Sequence, residues 1–88
     1  MYNYGTEKPN ILTDEGQRQF LKVRDKVNSL LKQSGAVMLG WVGGSWEQMA
    51  CIDRMVELGE LEEIGAPASC GQARVFCRPN DRLHPRFR

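Results

Sequence analysis

The sequence predicts a small α+β domain, because two segments with helical spacing are followed by two short segments with strand character. At 88 residues the chain has room for one hydrophobic core. Its 41% hydrophobic and 26% charged residues are ordinary for a globular protein and argue against wholesale disorder. We expect an extended N-terminal arm over residues 1–12, a domain over 13–78 and a basic flexible tail over 79–88.

The first helix is predicted over about 14–34. Thr13 is a good N-cap, and Asp14 and Glu15 place negative charge in the first turn, where the helix dipole favours it. Gly35 suits the left-handed position that ends many helices. Apolar residues recur at helical spacing on one face, which we expect to be buried: Phe20, Val23, Val27, Leu30 and Leu31.

A second helix is predicted over about 46–58, with Ser45 as its cap and Gly59 at its end. Before it, residues 36–43 are apolar and rich in glycine, and a short strand and a single helical turn both fit so short a segment. Spacing places four apolar side chains of the second helix on one core face: Trp46, Met49, Ile52 and Val56. Trp41 is compatible with either the core or the surface.

A β-hairpin is predicted after the second helix. Residues 60–64 alternate polar and apolar side chains, as a strand with one buried face does. Residues 65–72 carry turn chemistry, with glycine near both ends and a proline inside. Residues 73–78 form the second strand, and Pro79 ends it.

This order of elements resembles a winged helix-turn-helix domain. The resemblance is carried by Gly44 and Ser45 at the start of the second helix, by its apolar spacing, and by residues 55–64, which lead from that helix directly into the first strand. It covers about residues 13–78 and implies a small winged-helix-like domain with the hairpin as the wing. A short helix within 36–43 would have to precede the recognition helix. The resemblance also implies DNA binding or dimerisation as common properties.

The net charge of +1 hides separated charges. Residues 45–65 carry six acidic side chains and one arginine, a local −5, whereas residues 17–32 and 74–88 each carry +4. An acidic helix and strand are poor partners for a polyanion. We therefore predict a non-enzymatic recognition module that binds a protein partner through an acidic face, and the winged-helix resemblance implies homodimerisation through the first helix. The predicted partner-binding residues are Trp41, Glu47, Gln48, Asp53, Arg54 and Glu57.

The alternative is a winged-helix DNA-binding regulator that uses the basic first helix and the arginine-rich tail. Basic side chains would neutralise phosphates there and read few bases. A charged helix face is also commonly only solvated. The residues predicted for this role are Arg18, Lys22, Lys26, Arg74, Arg78, Arg82 and Arg86.

No catalytic constellation is evident, because the single histidine, His84, lies beside a proline in the tail. Cys51, Cys70, Cys77 and His84 are residue types that bind zinc, but they lack the close cysteine pairs typical of such sites. We expect Cys51 and Cys77 to be small packing residues, and we expect no enzyme activity, metal, cofactor or small-molecule substrate.

The sequence also predicts a cytoplasmic protein without a membrane anchor. No apolar run approaches the roughly 20 residues that span a bilayer. The N-terminus lacks a basic region followed by an apolar stretch, and three cysteines are too few for a disulfide scaffold.

Overall fold

The computed structural model describes residues 2–64 and 74–79, and these ranges contain four helices and a three-stranded antiparallel sheet. The predicted α+β class is confirmed. Two of the four helices lie outside the two that the sequence predicts. The elements are α1 (Tyr4–Ile11), α2 (Asp14–Ser34), β1 (Ala36–Met38), α3 (Leu39–Val42), α4 (Trp46–Glu57), β2 (Glu62–Glu63) and β3 (Val75–Cys77).

Helix α2 confirms the prediction for residues 14–34. The hydroxyl of Thr13 accepts the backbone N–H of Gly16 at 3.0 Å and so caps the first turn. Gly35 adopts φ 76° and donates its N–H to the carbonyl of Leu31 at 2.8 Å, which ends the helix. Four of the five predicted core residues on its apolar face are buried, and Leu30 is partly buried against the core.

The N-terminal segment forms helix α1, so the extended arm predicted there is wrong. Asn3 caps this helix by accepting the N–H of Thr6 at 3.1 Å. Pro9 lies inside it, and Ile11 is its one buried residue. Such a segment has no amphipathic pattern, and it is helical because it packs against α4 and α2.

Both alternatives for residues 36–43 are realised in turn, since β1 is followed directly by the single-turn helix α3. Helix α4 then begins with a capping box: Ser45 accepts the N–H of Gln48 at 3.1 Å, and the Gln48 side chain accepts the N–H of Ser45 at 3.2 Å. Gly59, at φ 78°, follows the C-terminus.

The predicted core face of α4 is partly wrong. Ile52 is fully buried, but Trp46 is 47% exposed, and Met49 and Val56 are only partly buried. Because α4 is covered on one side by α2 and on another by α1, its buried residues do not follow the single stripe that apolar spacing indicates. The buried residues of α4 are Ala50, Cys51, Ile52 and Met55.

The strands pair in the order β1-β3-β2, with both pairings antiparallel. Val37 lies opposite Phe76, and Glu63 lies opposite Phe76 on the other side of the central strand. Phe76 is fully buried against the helices. The strands predicted for 60–64 and 73–78 therefore pair, over fewer residues than expected. The predicted turn over 65–72 lies outside the described residues, as does the tail from residue 80 onward.

Candidate interaction surfaces

Two partly exposed tryptophans flank the turn between α3 and α4. Trp41 is 50% exposed and Trp46 is 47% exposed. The turn between them requires glycine at position 43, because Gly43 has φ 150° and a methyl group built there would overlap the Gln48 side chain that caps α4. We call Trp41, Trp46 and the neighbouring exposed Glu47 the tryptophan corner.

Glu47 differs from the other acidic residues of α4. It is exposed, and it forms no ion pair within the part of the chain that the structure describes. An indole flanked by a free carboxylate suits a partner that offers an apolar pocket with a basic rim.

Glu57, by contrast, already bonds to three side chains of the same chain. One carboxylate oxygen accepts the Tyr4 hydroxyl at 2.8 Å and Arg54 at 2.6 Å, and the other accepts Lys8 at 2.9 Å. Hydrogen bonds from Lys8, Tyr4 and Arg54 lower the pKa of Glu57 to about 2. Burial and the bond to Glu57 raise the pKa of Tyr4 to about 12.

Asp53 is engaged in the same way. It accepts the Tyr2 hydroxyl at 2.6 Å and a guanidinium N–H of Arg74 at 2.8 Å. Burial, and then the bond to Asp53, raises the pKa of Tyr2 well above its ordinary value. The Tyr2 ring also meets Trp46 edge to face, with centroids 6.4 Å apart.

Arg74 joins three elements through one guanidinium. It donates to both carboxylate oxygens of Glu63, at 2.8 and 2.9 Å, while it also donates to Asp53. The guanidinium lies over the Phe76 ring, 5.1 Å from its centroid. These bonds, with Glu63 first, raise the pKa of Arg74. Arg74, predicted as a nucleic-acid contact, therefore serves an internal ion-pair network.

The residues predicted to bind a partner thus separate into two groups. Trp41 and Glu47 are exposed and lie at the tryptophan corner. Gln48 serves as a cap, and the remaining three belong to the ion pairs of α4: Asp53, Arg54 and Glu57. Trp46, expected in the core, joins the exposed group.

The residues predicted to bind nucleic acid lie on separate parts of the fold, three of them together on α2. Arg18, Lys22 and Lys26 are exposed along α2, and Lys26 reaches the carbonyl of Val42 at 3.4 Å. Arg78 is exposed and donates to the Asn28 side chain at 3.3 Å. Arg82 and Arg86 lie outside the described residues.

Two of the cysteines are buried, as expected for residues that pack in the core. Cys51 and Cys77 are each 2% exposed, and burial raises the pKa of the Cys51 thiol to about 11. Within residues 2–64 and 74–79, no group of three histidine, cysteine or acidic side chains could hold a metal ion. Cys70 and His84 lie outside these ranges.

A cavity of about 280 Å³ lies where α1 meets the beginnings of α2 and α4. Glu7, Glu15 and Glu47 line it, together with the buried Ala50 and Cys51. The cavity shows that the C-terminal half of α1 does not close fully against α4.

Sequence reasoning missed the contribution of α1 and of Arg74. Tyr2, Tyr4 and Lys8 meet residues about 50 positions away, and Arg74 meets Asp53 across 21 positions. No local sequence pattern indicates such distant pairs. The one available signal was the excess of acidic residues near α4, which suggests that cations from elsewhere in the chain pair with them.

No protein-family model, curated protein or solved structure matches this chain. Among the helices that the structure describes, none is long and apolar enough to cross a membrane.

Proposed function

We propose that this chain is a non-enzymatic recognition module that binds a protein partner through the tryptophan corner. The observation that carries the proposal is the half-exposure of both Trp41 and Trp46 at a turn held by glycine and a capping box. Tryptophan is enriched among the hot spots of protein interfaces. The partner would supply an apolar pocket for an indole and a basic group for Glu47.

The acidic residues predicted for this role are not the best candidates. Asp53 and Glu57 already bind Arg74, Lys8 and Arg54, so a partner would have to displace those bonds. Glu47 needs no such displacement. The proposal therefore keeps a protein partner and places the contact at the tryptophan corner.

The proposed scaffold is a winged helix. Its support is the order of α2, β1, α3, α4, β2 and β3, with α3 and α4 joined by a short turn and β2 paired with β3. In such domains the second helix of the pair commonly reads a ligand.

A second candidate function is DNA binding through α2. Arg18, Lys22 and Lys26 are spaced four residues apart and are exposed, so they form one basic stripe. Base reading by α4 is disfavoured, since Tyr2, Tyr4 and Lys8 bond to side chains along it.

Site-specific photo-crosslinking tests the protein-binding proposal. A photoreactive residue replaces Trp41, and a matched control replaces Leu21, which is 53% exposed on α2. We expect the variant at 41, but not the variant at 21, to form a discrete adduct in an extract of the source cells. Excess unlabelled wild-type chain should suppress that adduct. Equal suppression by a chain carrying Trp41→Ala and Trp46→Ala would contradict the proposal.

A salt titration tests the DNA candidate separately. Fluorescence anisotropy of a mixed-sequence duplex at about 50 mM salt, repeated as salt rises, measures phosphate neutralisation. Binding that weakens steeply with salt and is lost in a chain carrying Arg18→Ala, Lys22→Ala and Lys26→Ala would support DNA binding. No binding at low salt would eliminate it.

A further inference from the structure

The cavity between α1, α2 and α4 lies beside the tryptophan corner, because Glu47 belongs to both. Its volume is about 280 Å³, just below the roughly 300–1,000 Å³ that is usual for ligand sites. Three buried residues are part of its lining: Ile11, Ala50 and Cys51. The cavity therefore suits a short aliphatic group, such as one side chain, better than a larger organic molecule.

Three carboxylates line this cavity, and each lies in the first turn of a different helix: Glu7 of α1, Glu15 of α2 and Glu47 of α4. The helix dipole favours an acidic residue at each position, but it does not require all three to line one cavity. None of them forms an ion pair within residues 2–64 and 74–79, whereas four acidic side chains between residues 53 and 63 each bond to a lysine or an arginine. Negative charges that share a cavity attract a cation to it.

Cys51 adds a buried polar group to the same cavity. Its side chain lines the cavity although the residue is only 2% exposed, and its thiol forms no hydrogen bond within the part of the chain that the structure describes. Burial, and then the negative charge of Glu47, raise the pKa of this thiol to about 11, so the charge of Glu47 reaches this wall of the cavity. Buried polar groups usually have a partner, and a thiol sulfur is a weak acceptor, so a ligand that donates an N–H would satisfy Cys51.

The spacing of these groups favours an organic cation over a metal ion. Within the described ranges, no group of three histidine, cysteine or acidic side chains could hold a metal. A cation carried on a carbon stem needs no such close set of ligands, and the buried Ile11 and Ala50 offer the stem an apolar contact. An ammonium group also suits carboxylates from three helices, because its three N–H donors diverge, whereas a planar guanidinium pairs best with one carboxylate.

We propose that this cavity is a binding site for an alkylammonium group. The ammonium lies among the three carboxylates, and the carbon stem contacts Ile11 and Ala50. A lysine side chain of the partner is one source of this group, because Glu47 joins the cavity to the tryptophan corner. That source rests on the proposed protein-binding function. A free primary amine is the other source, and the experiments below separate the two.

An NMR titration of the full chain with butylammonium chloride tests the site, since this cation is a lysine side chain without its backbone. Butylammonium chloride replaces sodium chloride at constant ionic strength, and butanol, which has the same stem without the charge, is the neutral control. We expect saturable shifts of the Gly16, Ala50 and Cys51 amides, with half-saturation on the order of 1–10 mM, and an unchanged Asn28 amide in the middle of α2. Equal shifts with butanol, or no saturable shift at the three cavity amides, would overturn the inference.

Variants that remove one charge at a time locate the ammonium. Glu7→Gln, Glu15→Gln and Glu47→Gln keep the size of side chains that are partly or fully exposed, so we expect the fold to be retained. Each should raise the half-saturation concentration of butylammonium at least about threefold, and the triple variant at least about tenfold. Asp25→Asn is the matched control, because Asp25 is exposed on α2 and does not line the cavity; it should change that concentration less than about twofold. An equal effect of Asp25→Asn would overturn the inference, since binding would then follow net charge alone.

The crosslinking assay at position 41 identifies the source of the ammonium. A chain carrying Glu7→Gln and Glu15→Gln leaves Glu47 and Trp46 of the corner in place. If the partner inserts a lysine, this chain should form the adduct at least about tenfold less efficiently. An undiminished adduct would overturn the lysine source and leave a free amine as the ligand. The absence of any adduct with the wild-type cavity would contradict the proposed function, whereas the butylammonium titration would still test the cavity by itself.

Discussion

The guanidinium of Arg74 lies 2.8 Å from a carboxylate oxygen of Asp53 and joins strand β3 to helix α4. The two side chains are 17% and 15% exposed, so both charges are largely removed from water. Arg74 also binds Glu63 on β2. One cation therefore fixes how the hairpin packs on the helix.

Removing this cation should destabilise the fold strongly. We expect Arg74→Ala to lower the free energy of unfolding by about 2–4 kcal/mol, because it leaves Asp53 as a buried charge without its main partner. Urea denaturation measures the loss. Arg24→Ala is the matched control: its pair with Glu60 is 39% and 28% exposed, and its loss should cost less than about 1 kcal/mol. Equal losses would show that Arg74 has no special role.

Truncating Met55 should destabilise the fold more than truncating the larger Trp46. Met55 is 1% exposed, and Met55→Ala should cost about 2–4 kcal/mol through lost burial and a cavity. Trp46 is 47% exposed, and Trp46→Ala should cost less than about 2 kcal/mol. Chemical denaturation of both variants measures the difference. A larger loss of stability for Trp46→Ala than for Met55→Ala would indicate that Trp46 is part of the core, as its spacing predicts.

The two tyrosines should ionise late in the folded chain. They are the only tyrosines present, so phenolate absorbance reports Tyr2 and Tyr4 alone. The pKa of Tyr4 is raised from 10.0 to about 12, and that of Tyr2 is raised further, so both are protonated in the folded state where the unfolded chain would begin to ionise. A raised pKa gives stability that is complete below pH 10 and is lost as pH rises through 12.

The control is the same chain in denaturant, in which both tyrosines should ionise near pH 10. Folded wild-type tyrosines that titrate together near pH 10 would contradict the bonds to Asp53 and Glu57.

Acid should release α1 before it unfolds the core. The pKa of Glu57 is lowered from 4.5 to about 2, so its contribution is present above pH 4.5 and is lost as pH falls towards 2. NMR shifts of α1 amides should change over this interval, while those at the centre of α2 lag behind. A Glu57→Gln chain should lack this early change; an unchanged profile would assign it to other carboxyl groups.

The sequence predicts α2 closely because the signals for that helix are local. Thr13, Gly35 and the apolar stripe between them lie within the helix or next to it. The bounds of α4 follow for the same reason, from Ser45 at its start and Gly59 after its end.

Helix α1 could not be predicted in this way. Pro9 and the lack of an apolar stripe indicate a non-helical segment, and the contacts that stabilise the helix come from Asp53 and Glu57. The same contacts change the interpretation of α4, since they bury one side of it and engage its carboxylates. Trp41, for which sequence pattern favoured neither core nor surface, is half exposed on the single-turn helix α3.

The internal pairing of charge changes what salt should do to this protein. Of the six acidic side chains in residues 45–64, four bond to Lys8, Arg24, Arg54 or Arg74: Asp53, Glu57, Glu60 and Glu63. The acidic segment is therefore largely neutralised in the fold, whereas Arg18, Lys22 and Lys26 of α2 remain exposed. Salt screens charges that lie farther apart than about 8 Å much more than ion pairs in contact, so these pairs, at 2.6 to 2.9 Å, should persist as salt is added. A partner that brings a basic group to Glu47 at the tryptophan corner should associate more slowly as salt rises, while the ion pairs within the fold remain.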